Sequence, residues 1–141
     1  MEKLTLKTSI SINASTSKVW EALTKPELIK QYFFGTDTIT DWKKGSPITY
    51  KGIWEGKPYE DKGHILDIEK EKFILYNYWS SFSGKKDSPE NYANIRYELS
   101  RDKENTIFTV TQDGIESQES LNHSKQNWNM VMENLKKLLE K

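Results

Sequence analysis

Ser117–Lys141 reads SQESLNHSKQNWNMVMENLKKLLEK, and this stretch decides the fold. Its apolar residues are Leu121, Trp128, Val131, Met132, Leu135, Leu138 and Leu139. They fall three, four or seven apart and form one stripe on an α-helix. The stretch contains neither Gly nor Pro. A long amphipathic helix closing a chain that otherwise alternates like β-sheet predicts a sheet with a helix laid across it. Trp128 and Met132 lie on the covering stripe, where large or flexible side chains can roof a cavity as well as pack a core.

Upstream, Leu4–Ile12 alternates apolar and polar residues as a half-buried strand does. Asn13–Ser17 supplies turn and N-cap types, and a short helix is expected over Thr16–Thr24 with Val19, Trp20 and Leu23 on one face. Thr24-Lys-Pro-Glu27 reads as a capping box that starts a second short helix through about Gln31. From Tyr32-Phe33-Phe34-Gly35 to Gly114 the pattern is a β-meander. Strands are expected near Thr36–Asp41, Pro47–Glu55, Tyr59–Glu69, Phe73–Ser81, Tyr92–Arg101 and Thr106–Asp113. Ser83–Asn91 is a longer polar loop. Helices segregated from a consecutive antiparallel meander indicate an α+β fold.

The chain has 141 residues, the size of one ordinary domain, and no linker or repeat divides 1–141. There is no Cys, which removes disulfides, thiol nucleophiles and Cys-based metal sites. Lys and Arg together number 21, equal to Asp and Glu, and only Arg96 and Arg101 are Arg. Nucleic-acid binding is therefore not expected. No apolar run approaches a membrane span and the N-terminus lacks a signal-peptide core, so a cytoplasmic location is expected.

Catalytic signatures are missing. His64 and His123 make no metal-ligand spacing, the glycines form neither a dinucleotide fingerprint nor a P-loop, and no GxSxG elbow occurs. No cofactor and no metal are expected. Aromatics reach 12%, including five Trp, in an otherwise polar chain. Strand alternation assigns one face to Ile48, Tyr50, Gly52 and Trp54, and others to His64, Leu66 and Ile68, to Phe73, Leu75, Asn77 and Trp79, to Ile95, Tyr97 and Leu99, and to Phe108, Val110 and Gln112. These faces are expected to point inward. Asn77 and Gln112, if buried, need hydrogen-bond partners, or they meet water at strand ends. Trp42 is placed either to plug one end of the barrel or to join the core.

Four segments carry a resemblance to a known family. They are Ile10–Thr24 (ISINASTSKVWEALT), Pro26–Gly35 (PELIKQYFFG), Lys62–Ile68 (KGHILDI) and Gln126–Leu139 (QNWNMVMENLKKLL). Together they resemble the START-like, or SRPBCC, superfamily. Within it they are most similar to bacterial homologues of the activator of the ninety-kilodalton heat-shock protein ATPase. The chain departs at Asn127, where that family often has Gly before the Trp, and in the extra loop Ser83–Asn91. The resemblance implies a helix-grip fold, in which a curved antiparallel sheet wraps the C-terminal helix. It also implies a scaffold that binds lipids, polyketides, aromatics or partner proteins, and no invariant catalytic motif is carried over.

The leading expectation is non-enzymatic binding of a small hydrophobic ligand, a lipid, polyketide or flavonoid-like aromatic, in a cavity on the order of 300 Å³ or more. Trp128 and Met132 form its roof, Tyr32, Phe34 and Trp42 its mouth, and Tyr50, Trp54, Asn77, Trp79, Tyr97 and Gln112 its walls. The alternatives are a protein-interaction module acting as a chaperone cofactor, with a filled core and a functional outer surface, and a cavity enzyme of cyclase or aromatase type.

Overall fold

The computed structural model describes residues 3–80 and 85–140, with Trp54 through its backbone only. Ser81, Ser83 and Gly84, at the end of the fifth expected strand and in the polar loop, lie outside the described residues. The first strand, β1 (Leu4–Ile12), is followed by α1 (Thr16–Thr24), α2 (Pro26–Tyr32) and the short β2 (Asp37–Ile39). Five longer elements follow: β3 (Pro47–Trp54), β4 (Lys57–Glu69), β5 (Phe73–Tyr78), β6 (Ala93–Asp102) and β7 (Asn105–Ile115). The chain then forms α3 (Gln118–Leu139), so the architecture is the α+β helix-grip expected from the sequence.

Ser15 starts α1 by accepting the Lys18 N–H on its side chain, 3.2 Å away. Val19, Trp20, Ala22 and Leu23 then fall on one face and are buried. The expected capping box at Thr24 is not made. Thr24 closes α1 with its hydroxyl donating to the Trp20 carbonyl at 2.8 Å. Helix α2 begins instead at Pro26, whose missing N–H costs nothing at a first turn. Ser117 caps α3 by accepting the Ser120 N–H at 3.1 Å.

The strands form one antiparallel sheet in the order β1-β7-β6-β5-β4-β3-β2, so β1 and β2 are its edges. Helix α3 lies over the β1–β7 side and buries Trp128, Val131, Met132 and Leu135. Polar clips fix it there: Lys136 donates to the Ser11 carbonyl at 2.8 Å, and the Asn13 N–H donates to Glu140 at 2.7 Å. Helices α1 and α2 cover the other half of the concave face.

Two strands present the opposite face from the one expected. On β4 the buried positions are Asp61, Gly63 and Ile65, while His64 and Leu66 face out. A bulge between Ile65 and Asp67 changes the alternation, so Ile68 again packs toward the core. On β5, Ile74 and Tyr76 are buried and Tyr78 packs on the core, which puts Phe73, Leu75, Asn77 and Trp79 outside. A slip of one residue inverts every side chain of a strand. Gly63 sits where β4 and β5 press together: a Cβ there would stand 1.8 Å from the Asn77 carbonyl oxygen.

Candidate functional site

The concave face is lined with rings. Tyr50 on β3, Tyr76 on β5 and Tyr97 on β6 are each less than a tenth exposed. The Tyr76 hydroxyl donates to that of Tyr97 at 2.9 Å, and the Tyr76 and Tyr97 rings meet edge to face at 5.3 Å. Tyr50 stands between Tyr76 and Tyr78, at 6.2 and 6.4 Å between centroids. Burial pushes all three hydroxyls of Tyr50, Tyr76 and Tyr97 up, with mutual repulsion among neighbouring tyrosines adding for Tyr50 and Tyr76. They therefore stay protonated and neutral through the physiological range.

A strap, Phe33–Trp42, runs from the end of α2: its middle is the edge strand β2, and its two ends, at Phe33 and Trp42, lie against these rings. Phe33 stacks on Tyr50 at 6.3 Å and meets Trp128 edge to face at 6.0 Å. Trp42 closes the strap's far end. Phe34 and Trp42 both have left-handed backbone, φ 54 and φ 60, and Gly35 follows Phe34 at φ 73. Bulky residues in that region are uncommon, so both ends of the strap are held in conformations of raised energy.

Between strap and sheet lies a cavity of about 10 Å³. Phe33, Trp42, Tyr50, Tyr76 and Tyr97 line it, together with Leu23, Ile29 and Ile74 from the helices and β5. That volume is the room of about one water. The expected ligand-sized cavity is therefore not open: inward aromatics, Phe33 and Trp42 with the three tyrosines, fill the space.

Of the expected roof, Trp128 is 7% exposed and Met132 is fully buried. The Trp128 indole N–H donates to Gln112 Oε1 at 2.8 Å, so these two residues satisfy each other. Tyr50, Tyr97 and Trp42 line the cavity. Tyr32 is buried rather than at a mouth, because its hydroxyl donates to the Ala22 carbonyl at 2.8 Å and ties α2 to α1. Phe34 is exposed on the strap. Asn77 and Trp79 stand outside the chamber. Asn77 Oδ1 accepts the His64 N–H at 2.6 Å, and the Trp79 indole donates to the Lys85 carbonyl at 3.2 Å. The Trp54 side chain lies outside the described residues.

Sequence reasoning missed Phe33, Tyr76, Tyr78 and Asp61. The Tyr78 hydroxyl donates to Asp61 Oδ2 at 2.9 Å, and Asp61 is buried. No sequence signal marked Phe33: of the three adjacent aromatics, Tyr32 ends α2, Phe34 is exposed and only the fold sets Phe33 against the core. No group of three or more potential metal-ligating side chains occurs among the described residues. Among them, no helix is long and apolar enough to cross a membrane.

Comparison with known proteins follows the fold. The solution structure of ChR145 from Cytophaga hutchinsonii is 45% identical, with 99% of this chain and 96% of that one covered and a TM-score of 0.86. The Aha1 dimer from Colwellia psychrerythraea is 20% identical over 97% of this chain and 96% of that one, with a TM-score of 0.76. Ara h 8.0201 is 11% identical over 97% of both chains, with a TM-score of 0.78. These last two show shared fold alone. Comparison with curated proteins gives no significant match. A family model described as activator of Hsp90 ATPase homolog 1-like protein matches residues 13–140, nearly the whole chain, and the protein belongs to that family.

Proposed function

We propose that the protein is a non-enzymatic binder of a small, apolar, ring-bearing molecule, held between the tyrosines of the sheet and the strap Phe33–Trp42. One observation carries this reading: a wall of buried tyrosines is met by Phe33 and Trp42, at the two ends of a strap where aromatic residues hold left-handed backbone at Phe34 and Trp42. Conformational strain of this kind persists at places that move or clamp. Binding requires Phe33 and Trp42 to swing off Tyr50, Tyr76 and Tyr97, enlarging the cavity to ligand size. The hydroxyls of Tyr76 and Tyr97 bond each other, and each hydroxyl can both donate and accept. Their hydroxyls give a largely apolar wall a few polar points, which suits a ligand with one polar edge.

A second reading, a protein-interaction module, is favoured by the outer surface. Ile53 is 70% exposed and Ile39 is 55% exposed, both beside the sheet edge at β2. An edge strand with apolar side chains is a natural pairing surface, and the structural neighbour from Colwellia psychrerythraea is a dimer.

The test is a ¹H–¹⁵N NMR titration with a flavanone, an anthraquinone and a saturated fatty acid. Shifts of the Trp42 and Trp128 indole signals are expected. No change there up to near-millimolar concentration, with a chaperone shifting the signals of Ile39 and Ile53 instead, would transfer the assignment to the second reading.

A further inference from the structure

The sheet carries a second recess, on the side away from the tyrosines. Ile95 on β6 is buried against the core, so its neighbour Asn94 faces outward. Beside Asn94 lies an open cleft of about 300 Å³, lined by Lys3, Thr5, Tyr92, Asn94, Asp113 and Gly114. That is room for a small molecule, whereas the inner cavity holds about 10 Å³.

An irregularity of β7 shapes this cleft. Leu4 pairs with Ile115 and Leu6 with Gln112, so Asp113 and Gly114 together stand opposite the single residue Thr5. A bulge of this kind bends its strand and re-aims a side chain. Gly114 has the left-handed φ of 70 that the bend requires. Asp113 is then fixed by its neighbour on β6. Its Oδ1 accepts the Asn94 backbone N–H at 2.7 Å, and its Oδ2 accepts the Asn94 side-chain N–H at 3.1 Å. Carboxylate and amide therefore lie side by side across two adjacent strands. Each carboxylate oxygen can accept again, and the Asn94 amide retains a second N–H and its carbonyl oxygen. Neighbouring acceptors and donors match two adjacent hydroxyl groups, each of which gives one proton and receives one.

The other walls restrict the ligand further. Tyr92 is half-buried, and its hydroxyl donates to Asp87 at 2.6 Å, which sets the plane of the ring. A fixed aromatic plane offers an apolar face to the C–H side of a ring. Lys3 closes one end by donating to the Glu90 carbonyl at 3.4 Å, across to the turn Pro89–Asn91. The lining holds one cation, Lys3, and one anion, Asp113, so it favours a ligand without net charge.

We propose that this outer cleft is a binding site for a cyclic polyol, a neutral ring with adjacent hydroxyls such as a pyranose, with its C–H face on Tyr92 and its hydroxyls on Asp113 and Asn94. The site is separate from the chamber and does not depend on the binding reading above. A free sugar and one sugar unit of a longer chain share this chemistry.

The experiment titrates methyl β-D-glucopyranoside, cellotriose and sorbitol into the full chain, read from the backbone amide signals of Asn94 and Gly114. The glucoside should shift both signals with an affinity on the order of millimolar and leave the Trp42 and Trp128 indole signals in place. Equal affinity for cellotriose marks a free sugar as the ligand, and a gain of about tenfold marks a chain; both support the site. Sorbitol has the hydroxyls without a ring face and should bind at least about fivefold more weakly. Asp113→Asn should weaken the glucoside about fivefold. Tyr92→Leu should weaken it to a similar degree, about fivefold, while Tyr92→Phe, which keeps the ring, stays within about twofold of the wild type. No shift at Asn94 and Gly114 up to about 100 mM glucoside overturns the proposal, as does a shift confined to Trp42 and Trp128. Sorbitol binding as well as the glucoside overturns the role of Tyr92, and unchanged affinity in Asp113→Asn overturns that of Asp113. Should Tyr92→Leu fail to fold, sorbitol and Asp113→Asn still decide.

Discussion

Phe33→Ala removes the side chain that fills the chamber, and its effect can be worked from the packing. Phe33 is partly buried against the core. It stacks on Tyr50 at 6.3 Å and meets Trp128 at 6.0 Å, and both of those partners are buried. Two ring pairs of this kind contribute about 1.5 kcal/mol together beyond area burial. Removing a half-buried phenyl group from its apolar surroundings adds about 1.5 kcal/mol. The expected loss is therefore about 3 kcal/mol, at the low end for Phe→Ala in a core. In a chain of this size that lowers the melting temperature by roughly 9–12 °C. The enlarged cavity adjoins the existing one of about 10 Å³, so a benzene-sized apolar compound should fill it and restore part of the loss in a concentration-dependent way. The assay is thermal unfolding followed by tryptophan fluorescence, with and without saturating benzene. A loss under about 1 kcal/mol, or no rescue by benzene, would refute the role of Phe33 as the plug of the chamber.

Other perturbations test separate parts of the account. Trp20→Ala, at a side chain 8% exposed on the buried face of α1, should cost about 3–5 kcal/mol by chemical denaturation. Trp128→Phe leaves Gln112 Oε1 without its donor and should cost about 1–3 kcal/mol, with much of the loss recovered when Gln112→Leu is added in a double-mutant cycle. Glu140 is held below the ordinary glutamate value of 4.5, first by the Asn13 N–H and then by Lys136. A carboxyl lowered on folding stabilises above its unfolded value, and that contribution is lost as pH falls through the folded one. The melting-temperature difference between wild type and Glu140→Gln should therefore be full at pH 6 and vanish in the acid range below 4.5.

The helices were the most legible part of this chain, because their signals are local. Ser15 caps as its type predicts, and the stripe through Trp128 and Leu135 needs only its own spacing. Tyr50, Tyr97 and Gln112 were placed on the correct face because β3, β6 and β7 each have one clearly apolar side. The segment Phe73–Trp79 does not: Phe73, Leu75 and Trp79 are as apolar as Ile74, Tyr76 and Tyr78. Alternation alone could not orient it, and only pairing with Ile65 and Ile95 does. On β4 the bulge after Ile65 changes the phase at a point that composition does not mark. The size of the cavity was illegible for a different reason. It depends on where Phe33 and Trp42 come to lie beside the left-handed positions Phe34 and Trp42, and aromatic residues give no warning of that conformation.

The central claim is that a ring-bearing molecule enters between the strap and the tyrosine wall. Isotope-filtered nuclear Overhauser measurements on the protein with 2-naphthol test it most directly. Contacts from the naphthol ring protons to the rings of Tyr50, Tyr97 and Phe33 are the predicted result. Contacts confined to the outer surface around Ile39 and Ile53, with the Tyr97 ring untouched, would contradict it.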